Sequence, residues 1–448
     1  MLIKNGTIVT CENPIRLLEN SAIYIEDDII KDIGPSSEMV QNYPETEIID
    51  ANGQFILPGN ICAHTHFYGA FSRGLGIPGP APKDFPEILD KLWWPLDKSL
   101  TLEDVKYSAL VCLLDAVRYG TTTLIDHHAS PNSIKGSLDE IASAVLEAGV
   151  RAVLSYEITD RDGFAKTKEG IDENIRFYES TKSNNQFGGK IASLFGLHAS
   201  LTLCDQSLAS IREHLPQESG IHIHVAEHPI DEYDSISKSG TRVVDRLNEF
   251  NLLGPKSVIV HAVHIDAKEI DILVKTGTWV THQPRSNMNN GVGIGDVESM
   301  MRAGIKVCLG NDGFSNAMWE EWKTAYLVHK LRNFDPRRMN GNDIIQMAIY
   351  NNAQLASSLF KEKDLGVLRK GAQADMIFVE YFPFTPVTEG NIPWHILFGF
   401  HEGMITSTMV DGKFLMRNRE LLTLDEEKIT FYARKLSGKV WERFNNQH

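Results

Sequence analysis

Two histidines, His64 and His66, close the apolar run "LPGNICAHTH". Period two puts both imidazoles on one side of a strand, where they could form half of a metal site. Alone the pair carries little weight, because 16 histidines in 448 residues yield about half of one such spacing by chance. The competing reading is two polar residues on a half-buried strand. The other polar residues change the balance. "GIHIHVAEHP" ends in His224 and Glu227, with His222 one pleat below; "SVIVHAVHID" carries His261; "IKVCLGNDGFSN" carries Asp312. Buried imidazoles and carboxylates are costly unless paired or metal-bound. Four separate apolar runs that each end in His, Glu or Asp are therefore hard to explain by packing. Hydrolysis by a metal-activated water is the chemistry such a set would do.

These residues need a scaffold that brings distant strand ends to one height. The middle of the chain alternates short β-branched runs with amphipathic helices. Strands are expected to end near His66, Asp126, Tyr156, His198, Val225, His261, His282 and Asn311. Eight strands over roughly 250 residues is the length of eight βα units, which points to an α/β fold of (βα)8 barrel type. One helix reads closely: Thr101 as N-cap, Glu103 and Asp104 in the first turn, Val105, Ala109, Cys112, Leu113 and Val117 on one face, Gly120 as the stop. Residues 67–100, rich in Gly, Pro and aromatics, form an insertion after the first strand. At the C-terminal mouth of a barrel it reads as a lid. Both chain ends carry short alternating strands with "EDD", "NG" and "DG" turn signals. They predict one small β-domain from residues 1–57 and 360–448, plus a C-terminal helix, around a barrel over 58–359.

A net charge of −15 argues against nucleic acid or an anionic membrane as partner. No apolar run approaches the roughly 18–20 residues of a bilayer span, and "MLIKNGTIVT" reads as a strand and not as a signal peptide. The five scattered cysteines read as reduced thiols of a cytoplasmic protein.

"IIDANGQFILPGNICAHTH", "HIHVAE", "VIVHAVHI", "THQPRSNM", "LGNDGFSN" and "GVLRKGAQADMIFVE" resemble, in order and spacing, the amidohydrolase superfamily in its deaminase and chlorohydrolase (ATZ/TRZ-like) branch. Through "HFYGAFSRG", "LWWPLD", "IDHHASP", "RSNMNNGVG" and "WHILFGF" the chain is similar to the SsnA-type aminohydrolases. The resemblance implies a distorted (βα)8 TIM-like barrel, a small β-sandwich from both termini, a homodimer and one divalent metal. The implied ligands are His64, His66, His224 and Asp312, a set that suits zinc first and iron second. Binuclear relatives add a lysine from strand four; here "IASLFGLHAS" ends in His198, with Lys190 at the wrong end, so a single metal is expected. Glu227 would protonate a ring nitrogen, Asp312 would take the water proton and pass it to departing ammonia, and His261 would orient the hydroxide. His222 and His264 are read as supporting histidines rather than ligands. "GND" replaces the commoner "GTD", and His228 follows Glu227 where many deaminases carry Thr.

For the substrate, the strand ends and the lid offer Tyr68, Arg73, Trp94, His128, Arg161, His198 and Arg285. A cationic, imidazole-rich pocket would suit a carbonyl-bearing, anionic nitrogen heterocycle such as an oxidised purine or pteridine. The expected reaction is hydrolytic deamination with release of ammonia. Cleavage of a C–Cl bond or a cyclic amide at the same water is the alternative, and a non-catalytic scaffold would need a lost ligand, which the sequence does not show.

Overall fold

The computed structural model describes residues 1–182, 186–360 and 363–447. At the N-terminus lie β1 (Leu2–Val9), β2 (Leu17–Glu26), β3 (Ile29–Pro35), β4 (Ile48–Asp50) and β5 (Phe55–Pro58). The middle holds β6 (Asn60–Thr65), β7 (Thr121–Asp126), β8 (Arg151–Leu154), β9 (Ile191–Ser193), β10 (Phe195–Ala199), β11 (Ile221–Val225), β12 (Val258–His261), β13 (Trp279–His282) and β14 (Val307–Leu309). β15 (Met376–Val379), β16 (Ile405–Val410), β17 (Lys413–Arg417) and β18 (Glu420–Leu421) follow, before the helix Glu426–Asn445.

Each middle strand runs parallel to the one before it, in two runs, β6 to β9 and β10 to β14. β9 and β10 are one predicted strand interrupted at Leu194, so its first half pairs with β8 and its second with β11. Two parallel bridges join the runs, Ile158 to Leu197 and Thr65 to Asp312. The strand ends fall within two residues of the expected positions. Near-continuous burial of these strands, with helices between them, is what a parallel α/β sheet demands. The last strand meets the first closely: a Cβ on Gly310 would lie 2.7 Å from the backbone N and O of His64. Only glycine permits that approach.

The helix Leu102–Arg118 has the expected cap, with Thr101 and Asp104 forming a reciprocal capping box and Gly120 at φ +66° after its end. Its C-terminal partner helix ties down the insertion: Trp441 Nε1 donates to Phe71 O at 2.8 Å, and Arg443 to Ser99 O at 2.6 Å.

The chain ends share one sheet, because β5 pairs antiparallel with β15. The "DG" step at Asp411 and Gly412 (φ +51° and +69°) turns β16 into β17 as a hairpin. The "NG" step at Asn52 and Gly53 does not make one. β4 and β5 both run parallel to β1, so the turn joins two segments on the same strand face. No helix among the described residues is long and apolar enough to cross a membrane.

Candidate active site

The ends of β6 and β11 and the segment after β14 bring His64, His66, His224 and Asp312 together. His66 Nε2 lies 3.2 Å from His224 Nε2 and 3.1 Å from Asp312 Oδ1, and His64 Nε2 is 3.7 Å from the same oxygen. The outer nitrogens decide the tautomers. His66 Nδ1 donates to His127 O at 2.6 Å, and His224 Nδ1 to His198 O at 2.8 Å. For His64 the assignment runs through a relay. The Ser155 hydroxyl donates to Asp126 O, so it accepts from His222 Nδ1; His222 Nε2 then accepts from His64 Nδ1 at 3.0 Å. His222 thus holds the His64 ring in place. His264 lies elsewhere, bonded to Val292 O at 2.8 Å.

Each inward Nε2 of the neutral rings is therefore a lone pair. Three lone pairs and a carboxylate oxygen face one another with no donor between them, and His64 Nε2 has no hydrogen-bond partner. Such a set repels itself unless protons or a cation lie inside it. Three nitrogens and one oxygen are donors of the kind zinc and iron take. The proton equilibria reflect the same crowding. Burial drives His64 down to about 3 and holds His224 well below the ordinary imidazole value. In His66 burial is outweighed by Asp312 and Glu157, and the value rises to about 9. Asp312, despite burial, is held well below the carboxylate range by the imidazoles of His64, His66 and His261 around it.

Backbone strain collects here. Asp312 (φ +56°), His261 (+71°), Ala262 (+48°) and Ala226 (+47°) occupy the left-handed region without being glycine. Each such residue costs about 1–3 kcal/mol and persists where surrounding structure holds it. Asp312 is held on both sides, its N donating to His64 O and its O accepting from His66 N, each at 3.1 Å.

Beside this group stand an acid and a base. Asp312 Oδ2 accepts from the Ser286 hydroxyl at 2.5 Å. His261, fixed by Asn287 at 2.8 Å, turns Nε2 to within 3.3 Å of Glu227 and 3.8 Å of Asp312. Burial, with the Asp312 charge, pushes Glu227 well above its ordinary value. One carboxyl that keeps its proton beside one that does not is an acid/base pair separated by environment.

The cavity around the pair is covered by the insertion, through Tyr68, Phe85, Leu89 and Trp93, and is lined on another side by Asp97, Glu157 and His198. Of the expected substrate residues, Tyr68 and His198 line it. The others do not. Arg73 is 70% exposed and pairs with Asp115. Arg285 braces the following loop through Glu321 at 2.5 Å and Ser315 O at 2.7 Å. Arg161 stacks over Trp94, 4.9 Å from its ring centroid, and donates to Asp97 at 2.8 Å. Trp94 is held in that stack, and its neighbour Trp93 lines the cavity in its place. His128 is buried behind Tyr68 and bonds to Ser130 at 2.9 Å. The expected cationic pocket is thus corrected: each guanidinium is paired with a carboxylate, Asp115, Asp97 or Glu321, and none of the three arginines lines the cavity.

Sequence reasoning missed Glu157. In "LSYEITD" it follows β8, and it is 2% exposed, 3.3 Å from His66 Nδ1 and 3.6 Å from His127 Nδ1. Burial pushes it up to about 8. A lone charge at the end of an apolar strand was the available signal.

The model of the amidohydrolase family matches residues 55–415. The chain is 30% identical to a 5'-deoxyadenosine deaminase of Methanosarcina mazei, over 100% of this chain and 99% of that one. It is 31% identical to a 5-methylthioadenosine/S-adenosylhomocysteine deaminase of Pelotomaculum thermopropionicum, over 99% of each. Among solved structures it resembles, in fold, an adenosine deaminase of Xanthomonas campestris with bound zinc (TM-score 0.85, 21% identity, 98% of each chain). It also resembles an atrazine chlorohydrolase of Arthrobacter aurescens complexed with zinc (TM-score 0.79, 21% identity, 97% of this chain and 99% of that one).

Proposed function

The chain belongs to the amidohydrolase family, and on that premise we propose that it is a metal-dependent aminohydrolase. It removes an amino group from a nitrogen heterocycle of purine or pterin type and releases ammonia. His64, His66, His224 and Asp312 hold one divalent metal, zinc by preference. The three facing lone pairs and the Asp312 oxygen support this. Bound there, the metal supplies Lewis acidity and makes water acidic near neutral pH.

The chain's own groups do the proton work. Asp312 Oδ2, steadied by Ser286, accepts a proton from the attacking water and returns it to the departing amine. Glu227 keeps a proton that it can deliver to a ring nitrogen of the substrate. His261 orients the water and offsets developing charge between the two carboxyls. The observation that carries this reading is the convergence of His64, His66, His224 and Asp312 in a covered cavity that Glu227 also lines, 3.3 Å from His261.

The scaffold follows. We read β6 to β14 as a closed (βα)8 barrel over residues 58–359, supported by the bridges Ile158–Leu197 and Thr65–Asp312. We read residues 1–57 and 360–448 as one composite unit, the β-sandwich domain that the resemblance implies; the pairing of β5 with β15 supports its assembly from both chain ends. An ammonia-release screen of metal-loaded protein across purines, pterins, pyrimidines and triazines tests the activity. Ammonia from an aminated purine or pterin is expected. No ammonia from any ring, with chloride from a chlorotriazine or opening of a hydantoin, would overturn the reading.

A further inference from the structure

The wall made by Glu157, His198 and Asp97 has no part in the proton transfers above. Glu157 is 2% exposed, lines the cavity, and its Oε1 has no hydrogen-bond partner. His198 Nε2 lies 3.9 Å from Glu157 Oε2. Its tautomer is set by Thr202: the Thr202 hydroxyl donates to Ala199 O at 3.1 Å, so its oxygen accepts from His198 Nδ1 at 2.8 Å. His198 Nε2 is therefore a lone pair. Asp97, 1% exposed, gives one oxygen to Arg161, while its Oδ1 has no partner. Glu157 Oε1 faces His66 and His127, so it is Oε2, an acceptor even when Oε1 carries a proton, that shares one side of the cavity with His198 Nε2 and Asp97.

The neighbouring donors do not satisfy them. His66 Nδ1 is committed to His127 O at 2.6 Å. His127 Nδ1 stops 3.6 Å from Glu157, beyond hydrogen-bond reach. Arg161 is bound to Asp97 and Thr159 and does not line the cavity. The Tyr68 hydroxyl can donate or accept.

We propose that this wall selects heterocycles that present hydrogen-bond donors, as ring N–H or exocyclic amine, to Glu157 and His198. Glu157 is then a specificity-determining residue. The inference rests on the aminohydrolase reading and narrows its substrate class. Apart from the leaving amine, the base of an adenosine-type nucleoside has only acceptor nitrogens, which would face these acceptors without a proton between them. A lactam-bearing or further aminated purine or pterin supplies the missing protons. A site built to bond an N–H discriminates strongly against an analogue that lacks it.

Calorimetric binding of xanthine and of its fully N-methylated form, caffeine, to the metal-loaded protein tests the wall without any amine to release. Xanthine should bind about tenfold tighter or more, and Glu157→Gln, which puts an amide N–H where an acceptor stood, should bring the ratio close to one. In parallel, guanine should release ammonia faster than 5'-deoxyadenosine. Equal binding of the two xanthines, an unchanged ratio in a folded Glu157→Gln variant, or preference for 5'-deoxyadenosine would overturn the inference. Should the variant not fold, the wild-type ratio decides. A xanthine preference without ammonia from any ring would overturn the deaminase reading and leave the donor-selecting wall standing.

Discussion

The two ends of the parallel strands bury charge in opposite ways. At the N-terminal end, Arg151 opens β8 fully buried and pairs with Asp375 at 2.8 Å and with Asp411. Lys190 adds a pair to Asp411 at 2.7 Å, which explains why this lysine takes no part at the mouth. Despite burial, Asp411 is held below the ordinary carboxylate range by Arg151 and Lys190, and the same partners link the middle strands to the end sheet. At the C-terminal end, acceptors face acceptors, Glu227 and Glu157 are pushed up by burial, and non-glycine residues sit at positive φ. Matched charges stabilise; mismatched ones hold affinity in reserve for a ligand. The fold places stability and chemistry at opposite ends of the same strands.

The largest test of that contrast is Asp312→Asn. Turnover should fall about a thousandfold or more, with circular dichroism unchanged, because the mouth is built for chemistry. A near-normal rate would refute the proton-accepting role. Arg151→Met should do the reverse: it strands Asp375 without its cation, leaves Asp411 to Lys190, and should cost about 3–5 kcal/mol in denaturant unfolding, while the metal-loaded folded fraction keeps its kcat. An undiminished unfolding midpoint would show that the N-terminal cluster is not the stabilising one.

A smaller effect carries a sign. The folded value of Asp411 is depressed, so its stabilisation is present above the ordinary carboxylate value of 3.8 and is lost as pH falls through the lower folded value. Asp411→Asn should therefore lower the melting temperature at pH 7, and the gap to wild type should close at acid pH below 3.8. A gap that widened on acidification would mean the opposite linkage. Smallest of all, Arg73→Ala should leave both stability and turnover within error, since its pair with Asp115 is exposed. A clear rise in KM would return Arg73 to the substrate.

The sequence alone determined the residues that converge. Period two, apolar runs and their polar ends located His64, His66, His224, Glu227, His261 and Asp312, and the strand ends within two residues, because these are local properties of strands of known period. It also determined the helix Leu102–Arg118, whose cap lies within its own first turn. Only the tertiary structure decided the cavity wall. Whether Arg73, Arg161 and Arg285 face substrate depended on Asp115, Asp97 and Glu321, carboxylates distant in sequence that reach them first. Whether Trp93 or Trp94 lines the cavity depended on the Arg161 stack. Glu157 gained its role only when a neighbouring strand end brought His198 to face it. Ligand spacing is written along single strands; the pairing of long charged side chains is a competition among distant partners, and folding settles it.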